Sequence, residues 1–72
     1  MRVTFDPEAN MAYVYLLDSP EAGQAVRQIA VNQPDAPQLV LDLDRWGTLI
    51  GIEVFDARES LPAELLAQAQ KR

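Results

Sequence analysis

Three carboxylates lie near one another in the second half of this 72-residue sequence: Asp42 and Asp44, two positions apart, and Glu53 beyond a turn. If the chain around Leu39–Asp44 is a strand, period-2 alternation sends both aspartates to one face and Leu39, Leu41 and Leu43 to the other. Hard cations prefer oxygen ligands, so the trio could hold Mg²⁺ or Ca²⁺. The spacing matches no metal-binding loop, and a solvated polar sheet face accounts for the same residues. A paired-carboxylate hydrolase needs a cleft with a controlled separation, and so short a chain offers little cleft. There is no histidine and no cysteine, which removes the usual general base, the commonest metal ligand and every Ser/His or Cys/His arrangement. On these grounds no residue is assigned a catalytic, cofactor-binding or metal-ligating role. No cofactor is expected, and the balance lies against an enzyme.

The aromatic residues offer binding rather than catalysis. Tyr13 and Tyr15 fall on one strand face with Met11 and Leu17, where packing with a hydrogen-bonded hydroxyl is the common use of tyrosine. Trp46 sits at a hairpin tip, where an indole either anchors a partner or folds back over the sheet edge. Gly47-Thr48-Leu49-Ile50-Gly51 lacks the helix and lysine of a phosphate-binding loop. Gly51, inside a strand, marks a close approach or a bulge.

The element that must position these groups is a hairpin. Taking Asp44-Arg45-Trp46-Gly47 as its loop pairs Leu43 with Thr48, Leu41 with Ile50 and Leu39 with Ile52, which gathers both apolar rows on one face. That register does not put Glu53 directly opposite Asp42. Gly47 suits a position of positive φ, and a three-residue loop with a bulge there is the alternative. Ahead of it, Val3 and Phe5 alternate in a first strand, and Asp6-Pro7-Glu8-Ala9-Asn10 reads as a turn. Met11–Leu17 is apolar on both faces, as suits a central strand with one face on the core and the other under a helix or a second subunit. Ala25–Val31 is a third strand with partial alternation, closed by a loop containing Pro34 and Pro37. Short connections predict an antiparallel meander of neighbouring strands. Near the end, Ser60 suits an N-cap, and Pro62–Gln70 a short helix with Leu61, Leu65, Leu66 and Ala69 as its apolar stripe. The expected architecture is α+β: a small antiparallel β-meander of about four to five strands with one C-terminal helix.

The length allows a single domain over residues 1–72 with marginal stability as a monomer, and small domains without staples often oligomerise. A homodimer is therefore expected. Six basic against eleven acidic residues give a formal net charge of −5. Such a surface repels nucleic acid and anionic lipid and would attract a basic protein. No signal-peptide hydrophobic region opens the sequence, and no apolar run approaches the roughly 20 residues that span a bilayer. The expectation is a soluble, cytoplasmic protein.

Two blocks carry a resemblance: Phe5-Asp6-Pro7-Glu8-Ala9-Asn10-Met11-Ala12-Tyr13, and Leu41 to Ala57 with Asp42, Asp44, Gly47, Gly51 and Glu53. Together they resemble a mostly bacterial family catalogued as domain of unknown function 2283, which includes the YuzE-like proteins. The pattern departs at Phe5 for Tyr, at Asn10 for Asp and at Met11-Ala12 for Ala-Leu. Asp6, Pro7, Glu8, Tyr13, Asp42, Asp44, Gly47, Gly51 and Glu53 are the family-motif residues. The resemblance implies a compact antiparallel sheet with a helix and no established activity. Some similar members are encoded beside toxin-like proteins, which suggests an antitoxin-like binding role. The functional expectation is a small acidic homodimeric binding module, with Trp46 as the partner-binding residue. A divalent-metal or small-ligand protein using Asp42, Asp44 and Glu53 is the alternative.

Overall fold

A computed structural model describes residues 1–71. The alternating segments form β1 (Arg2–Asp6), β2 (Met11–Tyr15), β3 (Arg27–Val31), β4 (Leu39–Leu43) and β5 (Leu49–Val54). Two helical turns, α1 (Ala57–Ser60) and α2 (Ala63–Gln68), precede a two-residue strand, β6 (Gln70–Lys71). The six strands make one sheet in the order β3-β4-β5-β2-β1-β6. The α+β class is as expected, but the sheet is mixed: β6 runs parallel to β1, with Thr4 beside Gln70 and Phe5 beside Lys71.

The meander is also corrected. β2 and β3 are consecutive in sequence but not neighbours; β2 pairs with β5, and the link 16–26 carries the chain to the far edge. A strand apolar on both faces gains most burial away from the edges, and β2 takes that place between β1 and β5. β2 stops at Tyr15 and β3 starts at Arg27, so both are shorter than the alternation suggested.

The central hairpin closes with three loop residues, Arg45-Trp46-Gly47, rather than four. The Asp44 N–H reaches the Thr48 carbonyl at 2.9 Å, and the Gly47 N–H reaches the Asp44 carbonyl at 3.0 Å. Gly47 has φ 81°, which a side chain would penalise. Between the pairs Asp42–Gly51 and Leu43–Leu49 the register shifts, leaving Ile50 without a partner of its own on β4. The shorter loop and the bulge, one residue each, together move Leu41 opposite Ile52 and Leu39 opposite Val54. A displacement by two keeps the aliphatic residues on one face, which is why the alternation could not tell the two registers apart.

The helix expected over Pro62–Gln70 is present as α2, but it is shorter and α1 precedes it. Asp56 adopts a left-handed φ of 51°, and the Ala57 N–H then bonds to the Asn10 carbonyl at 2.9 Å. Ser60 ends α1 instead of capping a later helix; its hydroxyl donates to the Phe55 carbonyl at 2.9 Å. The residue capping α2 is Pro62, and Ala69 is already extended, so Gln70 and Lys71 join the sheet edge instead of the helix. A clamp holds this region to the first turn. The Asn10 side chain accepts from the Arg58 N–H at 3.0 Å and donates to Glu59 at 2.8 Å, while the Arg58 guanidinium donates to the Pro7 carbonyl at 2.9 Å.

Ala12, Val54 and Ala57 are the buried apolar residues, with Phe5, Leu39, Ile52, Leu61 and Leu66 packed around them. The helices thus rest on the chain's own sheet, over the row that contains Ala12 and Val54.

Candidate functional site

Cross-strand register aligns one polar row over five strands: Arg2, Tyr15, Gly51, Asp42 and Gln28. The neighbouring row on the same face holds Thr4, Tyr13, Glu53, Val40 and Ala30. This is the sheet face away from the Ala12–Val54 core, because adjacent residues of a strand point to opposite sides.

Tyr13 makes the principal contact of this face. Its ring crosses the missing side chain of Gly51, and its hydroxyl donates to Asp42 Oδ2 on β4, one strand beyond its own neighbour. Asp42 Oδ1 accepts from Gln28 Nε2 at 3.0 Å. Asp42 is only 6% exposed, and a buried carboxylate is tolerable when both oxygens are engaged in this way. The Tyr13 and Tyr15 rings lie 4.6 Å apart at 55°, and the Arg2 guanidinium sits 4.2 Å from the centre of the Tyr15 ring. The row is a connected polar network with a cation–π contact at one end.

Burial, then the hydrogen bond and charge of Asp42, push the Tyr13 hydroxyl well above the usual tyrosine range. The native state therefore keeps this proton after the unfolded chain has lost it. Since the folded pKa is the higher one, the associated stability is whole below the ordinary tyrosine pKa of about 10 and falls as pH rises beyond it. Urea unfolding between pH 8 and 11 should show this alkaline loss, and Tyr13→Phe should flatten it.

The motif residues separate into two groups. Asp6 and Asp44 build turns. Asp6 Oδ1 accepts from the N–H groups of Glu8 and Ala9 at 3.0 and 3.3 Å, and Asp44 Oδ1 from those of Trp46 and Thr48 at 3.0 and 2.9 Å. Pro7 and Gly47 shape the same turns, and Glu8 contributes its backbone to the first. Tyr13, Asp42, Gly51 and Glu53 meet on the open face. Asp42, Asp44 and Glu53 do not converge: the first is engaged by Tyr13 and Gln28, the second by its own turn, and Glu53 lies opposite Tyr13 and Val40. Among the described residues no three such ligands could hold a metal. Gln28 was missed in the sequence; its signal was the β3–β4 register, which places it opposite Asp42.

At the end of the sheet away from the helices, Trp46 is 74% exposed and the Arg45 guanidinium stacks 4.3 Å from its ring. Beside them is a recess of about 260 Å³ between this turn and the segment Ala22–Val26. No helix among the described residues is long and apolar enough to cross a membrane.

A family model described as a protein of unknown function (DUF2283) matches residues 2–58. No curated protein and no solved structure matches the chain.

Proposed function

The chain belongs to the DUF2283 family of proteins of unknown function, and on that premise we propose a small acidic protein-binding module that acts as a homodimer and docks a basic protein. An antitoxin-like role, with a toxin as the basic partner, is the specific form of this reading. The exposed Trp46 is the observation that carries it. Asp44 fixes the backbone on both sides of the indole, and Arg45 covers one ring face, so the anchor is presented with little conformational freedom to lose. A large aromatic held in water beside a recess is typical of a binding hot spot. The net charge of −5 would speed the approach of a basic partner and make the complex sensitive to salt. The chemically richer groups are already occupied, since Asp42 has both oxygens bonded and Tyr13 holds its proton.

The test is capture from the native host on tagged protein at low salt, eluted in rising salt, with Trp46→Ala in parallel. One basic protein should be recovered stoichiometrically and released by salt. Trp46→Ala should weaken its capture about 30-fold, the scale of a 2 kcal/mol hot spot. Because Trp46 is exposed, the thermal midpoint should change little. Recovery of the tagged chain alone, or capture indifferent to Trp46, would refute the reading.

A further inference from the structure

The face opposite the polar row carries a second five-strand row: Val3, Val14, Ile52, Leu41 and Ile29, one residue from each of β1, β2, β5, β4 and β3. Every member is aliphatic. The helices cover the adjacent row, where Ala12 and Val54 are buried, but the aliphatic row stays half-open and Ile29 is 37% exposed.

We infer that a second copy of this chain covers the aliphatic row, the two sheets packing face to face about a two-fold axis. The inference rests on the homodimer in the proposed function and names its surface. Two observations select a second copy. The first is area. The chain exposes 5107 Å², whereas a compact monomer of 8.0 kDa exposes about 4,450 Å². The excess, roughly 650 Å² over the whole chain, is surface that a compact chain of this mass would not expose, and a standard interface covers ~800 Å² on each partner.

The second is charge. The strand carboxylates Asp6, Asp42 and Glu53 all lie on the polar face, while the aliphatic row itself holds no charge and the charged strand residues on its side are the cations Arg27 and Lys71, at the sheet's two edges. Two chains of net charge −5 would repel each other through most orientations. Through this face they meet apolar to apolar, as a self-complementary two-fold contact requires. Pairing through the polar face would instead bring Glu53 toward its own copy.

Sedimentation equilibrium from micromolar to sub-millimolar concentration should give twice the mass of one chain. Ile29→Glu places a charge where a lone monomer would leave it in water, and should raise the dimer dissociation constant at least about tenfold. Ala30→Glu, its neighbour on the opposite face, should leave the dimer intact. Isotope-filtered NOEs between labelled and unlabelled wild-type copies make the test independent of variant folding. They should fall on methyl groups of Val14, Leu41 and Ile52. A wild-type monomer throughout the range, or intermolecular contacts confined to the Tyr13–Tyr15 face or the open edge of β3, would overturn the inference. The mass and NOE readouts do not involve Trp46 or a basic partner, so they fail separately from the capture experiment.

Discussion

Replacing Gly51 with alanine is expected to cost about 2–3 kcal/mol, a fall in thermal midpoint of roughly 10–20 °C in a domain of this size. A Cβ at Gly51 would stand 2.6 Å from Cζ and 2.9 Å from Cε1 of Tyr13, closer than side-chain atoms tolerate. The ring would have to lift from the sheet, its hydroxyl would leave Asp42, and a buried carboxylate would lose one of its two donors. The backbone is not the obstacle, since Gly51 is not among the residues of positive φ. A double-mutant cycle isolates the cause. In a Tyr13→Ala background the same substitution should cost less than about 1 kcal/mol. Equal losses in both backgrounds would mean that the steric account is wrong.

Val54→Ala is the second large effect, about 2 kcal/mol, from two lost methyl groups and the cavity left behind. Val54 is 2% exposed and forms the buried cluster with Ala12 and Ala57, ringed by Phe5, Leu39, Leu61 and Leu66. Val26, 60% exposed, supplies the comparison: its truncation to alanine should stay within about 0.5 kcal/mol. Urea denaturation of both variants checks the contrast, and equal losses would place the core elsewhere.

The elements built on local pattern were legible in the sequence. Alternation located β1, β2, β4 and β5, and turn chemistry located both hairpin loops, because Asp6, Pro7, Asp44 and Gly47 act within a few residues of themselves. What depended on distant partners was not legible. The Tyr13–Asp42 bond spans two strands and needs the β2–β5 pairing, which the short-connection rule does not supply. A glycine inside a strand marks a close approach or a bulge; at Gly51 a ring passes over it, and the bulge lies beside it at Ile50. The helix expected over Pro62–Gln70 is present as α2, with Pro62 at its start, but Ser60 does not cap it and α1 ahead of it has no local start signal. A left-handed Asp56 and an acceptor on Asn10, far away in sequence, began the helical region sooner. Gln70 and Lys71 favour helix locally, yet the open edge of β1 offered them ladder hydrogen bonds.

The strand order has a consequence for how this chain acquires its structure. β1–β2 is one local hairpin and β3–β4–β5 one local meander, each closed by short loops. Within the sheet they join along a seam, β2 against β5, across the link 16–26, and the β6–β1 pairing and the Asn10–Arg58 clamp tie the end of the chain back to the first hairpin. Short loops close quickly and at modest entropic cost, whereas the seam must bring together segments distant in sequence. The sheet is thus two locally closed halves docked on each other, and Tyr13 is one latch between them: it belongs to one half and fastens to Asp42 in the interior of the other.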